Sequence, residues 1–217
     1  MTVAVWLGNA APLRSIRWLD GALTTAAAIS SKATAIVAGD KTWLELACDR
    51  ATRAGLSTVG LSTDLKLDYL GWAQIVAAAA RDVKATIVLV DEVSRPERFP
   101  EVAAIAEQLD TVQLTRVVTL AADGDVLHAT RIAGRELQTV RIRGGAVIGV
   151  RIAGPAIDEY PTPMPSKQMR KLELSALGLD PRVLGHRGIP PRAGQQTKKS
   201  IVHVTEHLGF HLAARES

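Results

Sequence analysis

The alternation of strand-like and helix-like runs in the first hundred residues constrains the fold more than any other feature. Short runs rich in Val, Ile and Ala are separated by longer runs with helical periodicity. The predicted strands are residues 2–7, 34–38, 57–61 and 85–90, and the predicted helices are residues 20–32, 41–54 and 67–82. Because strands joined by crossover helices form parallel βαβ units, we predict an α/β fold with a doubly wound, mostly parallel sheet.

The pattern changes after residue 111. Four strand-like runs follow one another without a helix, at residues 112–120, 125–132, 136–143 and 146–152. Turn signals join them at Asp123-Gly124, Ala133-Gly134 and Gly144-Gly145. This stretch therefore predicts an antiparallel hairpin addition to the sheet.

Small or acidic residues follow three of the predicted strands, at Gly8, at Gly39-Asp40 and at Asp91. Open α/β sheets bind nucleotides at the carboxyl ends of their strands. These strand ends are therefore potential ligand contacts.

A proline-rich arm begins at residue 153. Pro161, Pro163 and Pro165 favour extended polyproline-like backbone and cannot all join a hydrogen-bonded ladder, so the arm is predicted to reach outward. We therefore divide the chain into an α/β nucleotide-binding-type domain with its hairpin extension, residues 1–152, and a partner-docking arm with the C-terminal segment, residues 153–217.

Composition excludes several classes of protein. The net charge is +4 and the basic residues concentrate after the arm, but no RNP-like or helix-turn-helix pattern accompanies them, so we expect a protein partner and no nucleic acid. One cysteine, Cys48, excludes a disulfide framework and fits a reducing compartment. No apolar run approaches the roughly 20 residues of a membrane span, and the N-terminal run has no basic signal-like region. We expect a cytoplasmic protein.

Taken in order, these features resemble the β subunit of electron transfer flavoproteins. The likeness starts at Val3-Ala4-Val5 and continues through Gly39-Asp40 and residues 51–55. It extends through the helix-like residues 103–110, the hairpins and the Pro-Ser-x3-Arg-Lys end of the arm. The resemblance implies an adenine-nucleotide alpha-hydrolase-like fold with a C-terminal arm.

The resemblance also implies a function. In that family the β subunit makes and breaks no bonds, binds AMP and forms a heterodimer with an α subunit that holds FAD. The pair takes electrons from flavin-dependent dehydrogenases and passes them to a membrane quinone oxidoreductase. The arm corresponds to the family's recognition loop, in which an apolar anchor is followed by basic residues. The corresponding docking residues here are Met164, Pro165, Lys167, Arg170 and Lys171.

The sequence departs from the family where AMP would bind. Residues 90–102 lack the family's Gln-Thr-Gly helix start and contain two prolines and three glutamates, which repel a phosphate. The excursion after the first strand is shortened to residues 8–20, and Trp6 and Trp18 could fill the vacated volume. We therefore expect FAD to be held mainly by the partner and AMP binding to be weak or lost. By the resemblance, a residual cofactor pocket is expected at Ala4, Gly39, Asp40 and Asp91.

Two other functions stay open: a stand-alone adenine-nucleotide-binding or hydrolysing domain, and an interaction-only subunit. No Walker A, Gly-x-Gly-x-x-Gly or Gly-x-Ser-x-Gly motif occurs, so no catalytic residue is predicted. If the terminal segment 200–214 were helical, His203, His207 and His211 would share one stripe, a weak metal-site pattern. We predict a terminal helix against a partner, without metal.

Overall fold

A computed structural model describes residues 1–8, 16–63, 65–93, 99–154, 169–184 and 201–208. The helices are α1 (Ile16–Ile29), α2 (Lys41–Arg53), α3 (Tyr69–Asp82) and α4 (Phe99–Leu109), and a 3-10 turn covers Pro181–Val183. The strands are β1 (Val3–Trp6), β2 (Ala33–Gly39), β3 (Ser57–Ser62), β4 (Ile87–Asp91), β5 (Val112–Asp123), β6 (Val126–Ala133), β7 (Glu136–Arg143), β8 (Ala146–Val150), β9 (Arg170–Lys171) and β10 (Ile201–Leu208). The predicted alternation of strands and helices is confirmed.

These strands form one sheet in the order β10-β7-β6-β5-β8-β4-β1-β2-β3-β9. In the part of this order that runs β5-β8-β4-β1-β2-β3-β9, every pair of neighbouring strands is parallel. The pairs among β5, β6, β7 and β10 are antiparallel. Val5 in β1 lies opposite Ala35 in β2 on one side and Leu89 in β4 on the other. Because the chain order reverses beside β1, the carboxyl ends of β1 and β4 flank the crevice where open α/β sheets bind ligands.

Helices cover both faces of the parallel strands. Leu23 of α1 and Trp43 of α2 belong to one buried cluster, with Val5 and Leu89 of the sheet. Trp72 of α3 and Ile105 of α4 belong to a second cluster, on the opposite face of the same strands. The alanines at positions 77, 79 and 80 of α3 are fully buried, and their small side chains let the helix approach the sheet closely. The predicted doubly wound architecture is confirmed.

Strand β8 does not continue the hairpin series. It lies between β4 and β5 and is parallel to both, with Val147 opposite Val88 and Gln113. The prediction that all four runs after residue 111 form an antiparallel addition is therefore wrong for β8. The Gly144-Gly145 signal marks a change of direction that returns the chain to the parallel core.

Strand β5 is sharply bent. Val112 pairs with Ala146 at its start, and Asp123 at its end pairs with Val126, which in turn pairs with Arg143. The path between the two ends of β5 thus consists of three strand pairings and the short link from Arg143 to Ala146, and it allows a separation of at most about 26 Å. A straight strand of 12 residues would span about 36 Å. The hairpin strands must therefore fold back over the core, and Leu127 and Ile142 pack in the same cluster as α1 and α2.

The residues beyond 152 contribute strands to both edges of the sheet. β9 pairs with β3, where Arg170 lies opposite Val59, and β10 pairs with β7. The prediction of a helix over residues 200–214 is wrong for the described part, because residues 201–208 form β10. The alternation in Ile-Val-His-Val matches the period of a half-buried strand as well as it matches a helix of this length.

The root of the arm crosses α1 at two glycines. The backbone N–H of Gly154 donates to the carbonyl oxygen of Arg17 at 3.0 Å. A Cβ atom on Gly21 would lie 1.6 Å from the carbonyl oxygen of Ile152, so only glycine allows this crossing. After residue 154 the next described residue is Met169, beside β3.

Candidate functional site

Three of the four predicted cofactor-site residues lie at the carboxyl edge of the sheet. Gly39 ends β2, Asp40 follows it, and Asp91 ends β4 on the other side of β1. Ala4 instead lies within β1, is fully buried and belongs to the core cluster on the α3–α4 face. The structure thus brings Gly39, Asp40 and Asp91 to one edge and keeps Ala4 in the interior.

Asp40 caps the first turn of α2. Its Oδ1 atom accepts the backbone N–H of Trp43 at 2.8 Å. The indole Nε1 of Trp43 donates to the carbonyl oxygen of Gly8 at 3.1 Å, in a buried position. Helix N-termini bind anions through free N–H groups and positive dipole ends, and here a carboxylate already takes that role. The start of α2 is therefore built for an internal cap.

The first turn of α4 carries a second carboxylate. Glu101 is 2% exposed, and the indole Nε1 of Trp6 donates to its Oε2 at 3.4 Å. Trp6 itself is buried, and its ring centre lies 6.0 Å from that of Trp72. Pro100, next to Glu101, has no backbone N–H to offer a ligand. The described part of this turn thus offers few donors to an anion and places a carboxyl group beside Trp6.

Asp91 and Glu92 follow one another at the end of β4. The Oδ1 atom of Asp91 accepts the backbone N–H of Val93 at 2.8 Å, which forms a tight turn. Because successive residues of a strand point to opposite faces, Glu92 lies on the face of the sheet opposite to Asp91. There its side chain is 1% exposed. Its Oε2 accepts the backbone N–H of Arg116 at 2.7 Å and lies 3.4 Å from Nε of Arg151. Burial raises the pKa of Glu92, and the contacts with Arg116 and Arg151 lower it by less.

A nucleotide phosphate does not fit this edge as the described residues build it. The carboxylates of Asp40, Asp91, Glu92 and Glu101 all lie at or just beneath the edge. Beside Glu92, Arg116 donates its backbone N–H to that carboxylate, and Arg151 lies against it with its Nε atom. Since a dianionic phosphate needs free donors and positive charge, the described edge disfavours AMP.

The described part of the predicted docking segment is the strand β9. Arg170 forms an ion pair with Asp82, the last residue of α3, and Lys171 is exposed beside Gly60 of β3. Met164, Pro165 and Lys167 lie outside the described residues. Arg170 therefore attaches this end of the arm to α3, and Lys171 presents its charge to solvent.

A cavity of about 430 Å³ lies beside β9. Its lining includes Lys41, Leu44, Gly60, Met169 and Lys171. The Sδ atom of Met169 would lie 2.3 Å from a Cβ on Gly60, so the glycine makes room for this methionine. Glu45 and Glu173 also line the cavity, and the charges of opposite sign give it no net preference for an anion.

The histidine pattern does not form a metal stripe. His203 lies opposite Arg141 of β7, and His207 lies opposite Gln138, because the register shifts between Val204 and Glu206. Positions 138 and 141 lie on opposite faces of β7. His211 lies outside the described residues. Among the described residues, no group of three metal-ligating side chains occurs.

Two buried charged contacts were not predicted from the sequence. One is Glu92 with Arg116 and Arg151. The other joins helices α1 and α2, where the Nη1 of Arg50 lies 2.8 Å from both carboxylate oxygens of Asp20, whose side chain is fully buried. The sequence carries a signal for the Asp20–Arg50 ion pair, because each helix has one charged residue on its apolar stripe. It carries none for Glu92, because Arg116 and Arg151 come near it only through the order of the strands in the sheet.

No helix among the described residues is long and apolar enough to cross a membrane.

Comparison with protein families identifies the fold's relatives. A search of curated proteins finds none that matches this chain. A model of the electron transfer flavoprotein domain matches residues 18–177, well over half of the 217 residues. The match runs from within α1 through β9 and includes the arm. The chain therefore belongs to the electron transfer flavoprotein domain family, whose members are associated with flavin.

Proposed function

We propose that this chain is the β-like subunit of a two-chain electron transfer flavoprotein in the cytoplasm. It forms a heterodimer with an FAD-bearing α-like subunit and docks on flavin-dependent dehydrogenases, whose electrons the pair accepts. The family match over residues 18–177 carries the proposal, because it covers the parallel strands β2, β3, β4, β8 and β9 and the arm in one continuous stretch.

The character of the carboxyl edge supports assigning the cofactor to the partner. FAD supplies the electron-accepting chemistry in such a pair, and nothing among the described residues fits its phosphates. Among the described residues, we take the edge at Gly39, Asp40 and Asp91 as the candidate place for a nucleotide. Its capped helix start and its carboxylates lead us to propose that AMP binding is lost.

The docking role is assigned to Met164 and Pro165 as the apolar anchor and to Lys167, Arg170 and Lys171 as the charged rim. The two described ends of the arm are held firmly, by Gly154 against α1 and by Arg170 against Asp82. An arm attached at both ends loses less conformational freedom on binding than a free tail, which favours a docking element.

Co-expression with the neighbouring reading frames tests the pairing. A tag on this chain is used for purification, and an absorbance scan is taken of whatever co-purifies. A yellow complex of two chains supports the proposal. A colourless chain purified with a partner favours the interaction-only subunit, an alternative supported by the poor fit of a phosphate to the carboxyl edge that the described residues build. A colourless chain without a partner contradicts both.

Association kinetics with the dehydrogenase test the docking surface. Lys171→Glu reverses a charge on the proposed rim, and Lys32→Glu makes the same change just before β2, at the amino edge of the sheet. Rim charges act mainly on the association rate, so we expect Lys171→Glu to slow association about 3- to 10-fold at low salt and less at high salt. Equal effects of the two substitutions would contradict docking at β9.

A further inference from the structure

Glu92 closes the junction at which the sheet changes from parallel to antiparallel. Two residues of β5, Thr115 and Arg116, lie opposite the single residue Gly149 of β8, because the register shifts between Leu114 and Val117. Arg116 has a φ of 58°, in the left-handed region. This is a β-bulge, and the bulge frees the Arg116 N–H from the ladder. Glu92 supplies the missing acceptor.

Gly149 makes room for this contact. A Cβ atom on Gly149 would lie 2.2 Å from Oε1 of Glu92. On the far side of the bulge, the N–H of Arg151 donates to the carbonyl oxygen of Val117 at 2.6 Å. Glu92, Arg116, Gly149 and Arg151 therefore form one packed unit, here named the β4–β5–β8 junction. The junction lies where β5 bends and where the chain leaves β8 for the arm.

The two oxygens of Glu92 are unequal. Oε2 meets Arg116 and Arg151, whereas Oε1 is buried and has no hydrogen-bond partner among the residues described. An ionised oxygen in that position is costly, because burial removes its water and no donor replaces it. A proton on Glu92 removes this cost. Opening of the junction also removes it, since the carboxylate then reaches water.

Among the described residues, the other charges around the junction do not alter this balance. Asp91, on the same strand end, accepts the N–H of Val93, and Glu101 on α4 accepts the indole N–H of Trp6. Arg116 on β5 and Arg151 after β8 are the positive groups, and they stabilise the ionised form in part. Burial still dominates, and the raised pKa of Glu92 agrees with the geometry.

We propose that Glu92 is a proton-sensitive contact that holds the β4–β5–β8 junction closed when protonated and favours its opening when ionised. The inference is independent of the proposed electron-transfer role. By linkage, an opening that releases one proton becomes up to tenfold more favourable per pH unit between the ordinary and the folded-state pKa of Glu92. Above the folded-state pKa the opening equilibrium levels off.

Amide hydrogen exchange of the full chain, followed by NMR and corrected for intrinsic rates, tests the proposal. Protection of the Arg116 and Arg151 amides should fall as the pH rises above 4.5, the ordinary value for a glutamate. Glu92→Gln should abolish this pH dependence and retain strong protection at pH 8. Glu107→Gln, the same change on the exposed side of α4, should behave like the wild type. Protection that is flat with pH in the wild type, or a slope that persists in Glu92→Gln, would overturn the proposal.

A second measurement covers the case in which Glu92→Gln does not fold. The carboxyl carbon shift of Glu92 in the wild-type chain is titrated from pH 3 to 9. A midpoint above 4.5 is expected, and a midpoint at or below 4.5 would overturn the proposal.

Discussion

Substitution of Gly21 by alanine sets helix propensity directly against tertiary packing. Gly21 lies within α1, where alanine in place of glycine would stabilise an isolated helix by about 1 kcal/mol. In the folded chain the added Cβ would lie 1.6 Å from the Ile152 carbonyl oxygen and 2.8 Å from the Gly154 nitrogen. Both are backbone atoms that cannot rotate away, so the segment at residues 152–154 must move.

The two effects differ in size. Overpacking against backbone costs about 3 kcal/mol, and loss of the hydrogen bond from Gly154 to Arg17 costs about 1 kcal/mol more. After the gain in propensity, Gly21→Ala should destabilise the chain by about 2–3 kcal/mol. For a chain of this length, that lowers the melting temperature by about 4–12 °C.

Urea unfolding followed by circular dichroism measures the effect. Gly124→Ala is the matched control: a Cβ there meets nothing within 4 Å, and only its φ of +61° is unfavourable. That conformation costs about 1 kcal/mol. Gly21→Ala should therefore be clearly less stable than Gly124→Ala. A Gly21→Ala chain as stable as the wild type would refute the crossing of α1 by the root of the arm.

Three further predictions follow. Arg50→Met leaves the fully buried Asp20 carboxylate without its ion pair and should lower the free energy of unfolding in urea by about 3–5 kcal/mol. Adding Asp20→Asn to this variant should recover at least half of that loss. Equal stabilities of the single and the double variant would contradict the reasoning. Burial raises the folded-state pKa of Glu92, so the stabilisation that the protonated side chain contributes is fully present below pH 4.5 and is lost as the pH rises through the folded-state pKa. Glu92→Gln should remove this decline in the free energy of unfolding. A variant whose stability depends on pH as the wild type does would contradict the prediction. AMP at millimolar concentration should leave the melting temperature unchanged, since a ligand at 100 times its Kd would stabilise the chain by about 2.7 kcal/mol; a clear rise would show that a nucleotide site persists.

The parallel half of the fold could be predicted from the sequence because its strands are local, apolar and separated by helices with clear periodicity. The position of β8 could not be predicted, because a Gly-Gly turn signal is compatible with a hairpin and with a return to the core. The terminal helix was predicted wrongly for a related reason. Over only eight residues, the apolar pattern of Ile201–Leu208 fits the helical period as well as the strand period, and the pairing with β7 favours the strand.

The roles of the edge residues were harder to predict than their positions. Gly39, Asp40 and Asp91 lie at the predicted edge, but Asp40 caps α2 and Asp91 closes a turn. The repulsion of a phosphate by the glutamates of residues 90–102 stays a prediction, and one of them, Glu101, is buried at the start of α4. The role of Glu92 depends on Arg116 and Gly149, which are distant in sequence and meet only through the order β4-β8-β5.

Flavin stoichiometry after separation of the two chains tests the central claim most directly. The co-purified complex is dissociated under mild denaturing conditions, each chain is refolded with excess FAD, and the flavin absorbance per chain is measured after gel filtration. The account predicts that the partner retains one FAD and that this chain retains none. Stoichiometric flavin on this chain alone would contradict the assignment of the cofactor to an α-like partner.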